Sequence, residues 1–438
     1  MMYQQFLFDT EEFSDTEESE KIRSRSGCFV DNMKLPVHRW YRYSAGFSAD
    51  WVRSVLKRRG MSGTDQIVLD PFSGIATTSI ACNSEKVRSL GLESHPFVYR
   101  IAEAKLHICR HSVTYLERLF SDFMRKWECN NSFRIQSDVP LLLDKCYDKS
   151  SLHDLLSMKH FLKESDMKQE NAQILWFVIT SILRSCSCVG TAQWQYVLPN
   201  KTKSNVRSPR VAYREKTTQI LEDVVRLKQN KTPLLADIIY TDARGDLAMN
   251  DDSVDFVLTS PPYPNNYDYA DATRLEMTFW GEVGGWADLH SAVRNKLLCS
   301  CTQHSSAERM DIHKLLAEPI LLPIRSEIEA ACDTLGEVRL QKGGKKTYHT
   351  MVAAYFRDLA LVFRNLRRVC RSGGEMCFVI GDSAPYGVYI PVDEWLGTLA
   401  VAAGFHSYQF EKVRDRNIKW KNRKHDVPLK EGRLWIQG

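Results

Sequence analysis

The chain has no apolar run long enough to cross a bilayer. Its nearest candidate, Ile174 to Leu183, is stopped by Arg184, well short of the roughly 18 residues a span requires. It also lacks the cationic-then-apolar start of a secretory leader. Instead Asp9, Glu11, Glu12, Asp15, Glu17, Glu18 and Glu20 fall in one acidic, polar run. No internal repeat is evident, and there is no sign of a disulfide framework. The 12 cysteines among 438 residues sit mostly in apolar contexts that suit small core residues. Cys186-Ser187-Cys188, and Cys299-Ser300-Cys301 with His304, superficially resemble metal ligands. Their spacing is not that of a zinc knuckle, so no metal is expected. These absences exclude a membrane protein and predict a reduced, cytoplasmic location.

What is present suits a large globular enzyme. A hydrophobic content of 43% is enough for a sizeable core, and the length exceeds one average domain. The formal net charge of +5 is modest, but the acidic tail hides a more basic body. Low hydrophobicity and high charge predict that residues 1–30 are disordered.

Two short motifs carry chemistry. In the first, Val254 to Leu258 reads as a strand and is followed by Thr259-Ser260-Pro261-Pro262-Tyr263. Adjacent prolines fix φ twice and remove two backbone donors, and each extends the residue before it. The result is a stiff elbow at a strand end, presenting the Ser260 hydroxyl, the Pro261 carbonyl and the Tyr263 ring. Two acceptors and a stacking surface suit a flat ring held by its amino group. A surface turn after a buried strand is the bland alternative.

In the second motif, Ile67-Val68-Leu69 is a short β-rich run. It enters a turn, Asp70-Pro71-Phe72-Ser73-Gly74-Ile75-Ala76, and then a helix opened by Thr77 or Thr78. A glycine-containing turn between strand and helix lets the backbone approach a nucleotide-like ligand. Asp70 suits a cationic or hydroxyl-bearing part of that ligand. A second strand, Val87 to Glu93, ends in a carboxylate about 20 positions after Gly74, the usual place for an acid that binds a ribose hydroxyl. A third, from Asp237, ends near Asp242. Four strand ends bearing polar groups predict one crevice at the carboxyl edge of a doubly wound, mostly parallel α/β sheet.

The Asp70-Pro-Phe-Ser-Gly-x-x-Thr-Thr stretch with a later Thr-Ser-Pro-Pro-Tyr resembles the amino-methylating DNA methyltransferases. These use S-adenosylmethionine to methylate N4 of cytosine or N6 of adenine on a Rossmann-like fold. The resemblance implies a cofactor site of Asp70, Pro71, Phe72, Ser73, Gly74 and Thr77, with Glu93 at the ribose and Asp242 near the adenine. It also implies that Phe47, within Ala45 to Ser48, closes over the methionine end. Ser260, Pro261, Pro262 and Tyr263 become the catalytic loop acting on a flipped-out base. Serine at the loop's first position is associated in this family with cytosine and aspartate with adenine, so N4 of cytosine is favoured over N6 of adenine. No Pro-Cys pair occurs, and the ring-carbon methylases need one. Double-stranded DNA follows as the partner, with a cognate restriction endonuclease as a second and a nucleoid-associated location.

Two features depart from the family pattern. Alanine replaces the usual glycine at position 76, and its methyl group disfavours positive φ, so an αR or β conformation is expected there. The cofactor loop also precedes the catalytic loop, an order shared with transfer-RNA guanine-N2 methyltransferases. That reading remains an alternative, as does a DNA-binding module on a degenerate methyltransferase fold.

The expected organisation has catalytic segments at 31–104, 236–283 and 347–438, interrupted by insertions at 105–235 and 284–346. Apolar residues at helical spacing from Phe97 to Ile108 predict a helix over 96–127. Further helix signals run over 152–161, 172–183 and 351–370, the last stopped by Gly373-Gly374. The mostly helical first insertion is the candidate target-recognition region, with a helical core filler as the alternative. Basic stretches suit phosphate contact. They contain Lys201, Arg207 and Arg210; Lys345 and Lys346, beside a Gly343-Gly344 hinge; and Arg416, Lys419, Lys421 and Arg423. A solvated charged face is the competing reading of each.

Overall fold

A computed structural model describes residues 29–129, 133–134, 139–192, 195–229, 234–264, 267–305, 310–343, 346–416 and 427–438. The acidic tail therefore lies outside the described residues, except for its last two positions.

The strands are β1 (Ile67–Asp70), β2 (Arg88–Glu93), β3 (Val189–Thr191), β4 (Val197–Thr202), β5 (Ala236–Tyr240), β6 (Val254–Thr259), β7 (Cys370–Gly381), β8 (Ser407–Arg416) and β9 (Leu429–Gln437). Seven of them form one sheet in the order β5-β2-β1-β6-β7-β9-β8, and β3 pairs with β4 apart from it. β5, β2, β1, β6 and β7 pair in parallel, whereas β9 is antiparallel to both β7 and β8. The strand order reverses at β1, where the chain steps first to β2 and β5 and later to β6. A doubly wound sheet opens its crevice at that point.

Alternation along the strands divides the core into two faces, because successive side chains point to opposite sides. Val68, Phe256, Leu258, Cys377 and Val379 pack with Trp51, Val52 and Val55 of helix Ala49–Arg58 on one face. Leu69, Val257, Met376, Phe378 and Ile380 meet helices Tyr348–Val369 and Val392–Ala402 on the other. Both faces are covered, so these central strands read as apolar runs. Asp255 is the charged exception in β6. Its carboxylate accepts from the Ile67 amide (2.8 Å) and pairs with Arg371.

The first insertion is helical over Val113–Cys129, Leu141–Cys146, Lys149–Glu164, Gln169–Cys186 and Pro209–Gln229. The predicted 96–127 helix is two helices, Pro96–Arg110 and Val113–Cys129, broken at His111 and Ser112. The helix at 209–229 and the β3–β4 ribbon carried no periodic signal strong enough to be expected. Gly373-Gly374 does not stop a helix. Helix Tyr348–Val369 ends earlier, and the glycines lie inside β7, where its register with β6 shifts. Gly373 has φ 74° there.

The insertion also holds the lead-in segment in place. Asp223, fully buried, accepts hydrogen bonds from the Val37 amide (3.1 Å), Arg39 (2.6 Å) and the Trp40 indole (2.8 Å). The Gln195 amide accepts from the Ser44 N–H (2.5 Å) and donates to the Arg42 carbonyl (2.8 Å). Arg184 joins Glu276 and the Ala272 carbonyl, on the short helices that follow the Ser-Pro-Pro-Tyr loop. Burying Glu276 and most of Arg184 is tolerable because each charge is paired.

Candidate active site

β1, β2, β5, β6 and β7 end on one edge of the sheet at Asp70, Glu93, Tyr240, Thr259 and Gly381. A cleft with about 810 Å³ of space, open mouth included, lies at this edge. The loop Pro71 to Ile75 and Thr77 form its floor, and Glu93, Ser94 and His95 form one wall. Thr241 to Ala243 form a second wall, Ala45, Gly46 and Phe47 a third, and Ser260 with Pro262 closes the fourth. Of the residues singled out from sequence, Phe47, Pro71, Phe72, Ser73, Gly74, Thr77, Glu93, Asp242, Ser260 and Pro262 thus meet in one cavity.

Asp70 is adjacent but turned inward. It is 1% exposed, and its carboxylate accepts from Thr78 Oγ1 (2.5 Å), Thr259 Oγ1 (2.5 Å) and the Phe72 amide (3.0 Å). Asp70 does not line the cleft, and these three donors make it a clamp joining β1, the following helix and β6. Burial pushes its carboxyl up to about 6, against the lowering effect of Thr259, Thr78 and the Phe72 amide.

Glu93 faces the cleft. Its oxygens accept from the Gly74 amide (2.8 Å) and the His95 amide (2.7 Å), which bind the glycine turn to the end of β2. Burial pushes its carboxyl up to about 7, opposed by those backbone donors. His95 is held neutral, burial lowering it to about 3. Its Nδ1 accepts from the Phe97 amide (3.2 Å), so Nε2 carries the hydrogen and donates to Thr273 (3.1 Å). Asp242 is paired with Arg244 at 2.6 Å, and Arg244 reaches on to buried Asp358 at 2.7 Å.

Gly74 has φ 52°, as a tight turn requires. Ala76 is the surprise. It is fully buried at φ 67°, ψ 37°, the left-handed region that was expected to be avoided there. Such a conformation costs an L-residue about 1–2 kcal/mol, comparable to what burial of one core aliphatic side chain supplies, so the surrounding packing can hold it. Lys105, fully buried, donates to the neighbouring Ile75 carbonyl at 2.8 Å.

At the diproline elbow, Ser260 Oγ donates to the Val379 carbonyl of β7 (3.2 Å), and Ser383 Oγ donates to the Pro264 carbonyl (2.5 Å). The Ser260 hydroxyl is thereby tied to β7, and it also hydrogen-bonds the Tyr263 hydroxyl. Pro261 and Tyr263 do not line the cleft itself. The Arg416 guanidinium lies 5.2 Å from the centre of the Tyr263 ring.

Arg416 was expected among the phosphate contacts. It donates instead to the Asp382 carbonyl (2.9 Å), sits 3.7 Å from Glu431, and supports Tyr263. Arg210 faces Glu128 and Asp154 from elsewhere in the chain, and Arg207 faces Glu215 of its own stretch. Lys201 is exposed on β4, and Lys346 is exposed beside Tyr348. Lys345, Lys419, Lys421 and Arg423, like Gly344 of the expected hinge, lie outside the described residues.

Tyr43, His95, Tyr269, Leu297 and Leu298 also line the cleft and were not singled out from sequence. His95 directly precedes Pro96 and caps its helix, a readable helix start. Leu297 and Leu298 come from the second insertion and carry no local signal.

The sheet order, the reversed β9 and the cleft at the switch point define a Rossmann-like methyltransferase fold. Comparison with profiles of known protein families finds no match. The chain is 25% identical to the type II methyltransferase M.BsoBI of Geobacillus stearothermophilus, covering 91% of this chain and 84% of that one. It is also 25% identical to the type II methyltransferase M.AvaI of a Nostoc species, covering 88% and 83%. A shorter match, 32% identical, spans 20% of this chain and 16% of the type II methyltransferase M.MjaII of Methanocaldococcus jannaschii. Over most of its length the chain is therefore similar to type II methyltransferases.

Ala76→Gly is expected to raise unfolding stability by about 1 kcal/mol, because glycine adopts the left-handed region without the Cβ penalty. Chemical denaturation measures it; an unchanged or lowered stability would mean that the methyl group's packing outweighs the strain.

Proposed function

We propose that the protein is an S-adenosylmethionine-dependent DNA methyltransferase. In this reading it modifies the exocyclic amino group of a flipped-out base, N4 of cytosine, within a specific duplex sequence. It serves as the modification half of a restriction-modification pair, working in the cytoplasm on nucleoid DNA. The observation that carries the proposal is the meeting of Ser260, its hydroxyl tied to Val379, with the Gly74 turn and Glu93 around one cleft.

The residues present fit the cofactor. Carboxylates at the ends of two strands match hydroxyl and amine donors, and Phe47 and Phe72 supply apolar walls. The buried Ser73 hydroxyl has no hydrogen-bond partner among the described residues. Glu93 would hold the ribose, and the Asp242 region the adenine. When bound, S-adenosylmethionine supplies an electrophilic methyl group on a sulfonium sulfur.

The chain's own part is to prepare the acceptor nitrogen. Its lone pair is delocalised into the base, so it is a poor nucleophile. Ser260 Oγ and the Pro261 carbonyl accept the amino hydrogens and localise that pair. Fixed acceptors of this kind stabilise charge that develops on nitrogen, and the rigid elbow supplies alignment. Tyr263, backed by Arg416 on one face, offers the other to the base. The loop needs no nucleophile, consistent with tyrosine rather than cysteine after Pro262. Of the basic residues expected to meet phosphates, Lys201 and Lys346 are exposed.

Expression in a host lacking its own DNA methylation, followed by digestion to nucleosides and mass measurement, is expected to yield N4-methylcytosine. N6-methyladenine alone would reassign the base, and no methylated nucleoside would overturn the proposal. Ser260→Ala should lower turnover by about 10²–10³-fold, the usual loss on removing one such group, with cofactor affinity nearly unchanged by calorimetry.

Because the Glu93 carboxyl lies at about 7, and hydroxyl donors bind the ionised form, cofactor affinity should be full above pH 7. Below that it should fall by about tenfold per pH unit. Glu93→Gln should bind more weakly and with a flat profile between pH 5.5 and 8, values chosen to bracket roughly that midpoint. A profile like that of the parent protein would remove Glu93 from the ribose.

A further inference from the structure

Among the described residues outside the cleft, one cluster of ligand-type side chains remains unexplained. Asp268, Cys301 and His304 bring a carboxylate oxygen, a thiol sulfur and a ring nitrogen within 4.8 Å of one another, and all three residues are buried. Cys301 and His304 belong to the stretch whose spacing did not suggest a zinc knuckle. The third member lies 33 positions earlier in the chain and is supplied by the fold.

Three details prepare the cluster for a cation. His304 Nδ1 faces the Leu298 carbonyl at 3.1 Å. In the neutral ring an Nδ1–H bonded to a carbonyl leaves Nε2 as a lone pair, the arrangement that orients metal-binding imidazoles; against the lowering effect of burial, neighbouring Cys301 and Asp268 raise the ring to about 9, so a cation takes the place of a proton there. That Nε2 is buried and has no hydrogen-bond partner of normal length among the described residues; Asp268 Oδ1 is 3.9 Å away, close enough for electrostatic attraction but beyond hydrogen-bond length. Finally, Arg294 occupies Asp268 Oδ2 through Nε (3.1 Å) and Nη2 (2.6 Å). It fixes the carboxylate and leaves Oδ1, which also accepts from the Ala270 amide at 3.2 Å, toward the histidine.

We propose that Asp268, Cys301 and His304 form a buried zinc(II) site that pins the far end of the Ser-Pro-Pro-Tyr loop to the 297–305 segment. The mixed sulfur, nitrogen and oxygen donor set suits zinc better than a hard cation such as magnesium. Tetrahedral zinc with bonds of about 2.0–2.3 Å separates its ligand atoms by roughly 3.5 Å, so the side chains close by about 1 Å on binding. A water completes the fourth position. The Cys301 thiol and the His304 imidazolium each give up a proton to solvent as the zinc–sulfur and zinc–nitrogen bonds form, while Asp268 binds as carboxylate. The ion has a structural role: Asp268 caps the helix Tyr269–Ala272 behind the elbow, and Leu297 and Leu298 line the cleft. The competing occupant is a proton shared within an Asp–His–Cys cluster.

The full-length protein, produced with zinc in the medium and dialysed against zinc-free buffer, is expected to carry about one zinc per chain by elemental analysis. Cys301→Ser and His304→Ala should each reduce that content at least about tenfold. Cobalt added to chelator-stripped parent protein should give a thiolate-to-cobalt charge-transfer band that Cys301→Ser lacks. If either variant does not fold, the parent protein alone decides: a chelator should lower its melting temperature, and added zinc should restore it. Parent protein that stays free of zinc after exposure to stoichiometric zinc while keeping native circular dichroism, or variants with unchanged zinc content, would overturn the site and leave the shared proton as its occupant.

Discussion

The buried carboxylate of Asp70 is the constraint on which the rest of the site depends. It ends β1, accepts from Thr259 at the end of β6, and accepts from Thr78 in the first turn of the next helix. One side chain thus joins the floor of the cleft to the residue directly before Ser260. The neighbouring pairs Val68 with Phe256 and Leu69 with Val257 run in register beneath it. An unpaired carboxylate at such depth would be prohibitive, but three short donors make it tolerable. The distance between the glycine turn and the diproline elbow is therefore set by the interior, not by flexible loops.

The helical insertion has a second architectural role besides any contact with a target. Asp223 and Gln195 fasten the segment that becomes one cleft wall, and Arg184 fastens the helices behind the catalytic loop. Much of the basic charge that seemed free along the chain is matched by acids from other helices. A row of cations in sequence is a one-dimensional fact, whereas neutralisation by Glu128 or Asp154 is a three-dimensional one.

The parallel sheet, the glycine turn, the acid after β2 and the diproline elbow could all be read beforehand. Each is local: strand, punctuation and polar terminus lie within a few residues of one another. The inward turn of Asp70 was not readable, because Thr259 lies far away in the chain. Nor was the left-handed Ala76, since residue type argues against it and only tertiary packing imposes it. The role of Gly373-Gly374 was misread for a similar reason. A glycine pair after an amphipathic run looks like a helix terminator, and only pairing with β6 shows that the strand has already begun. Leu297 and Leu298 enter the cleft from a segment with no periodicity to follow.

The placement of β9 between β7 and β8 bears on how the molecule is made. β7 is synthesised well before its eventual neighbour, and its edge, flanked by the apolar run Met376 to Ile380, has no partner on that side until Leu429–Gln437 leaves the ribosome. At ordinary elongation rates the wait is on the order of seconds. Over that interval an open strand can recruit the wrong neighbour, so nascent chains carry a window of aggregation risk that the finished protein does not show.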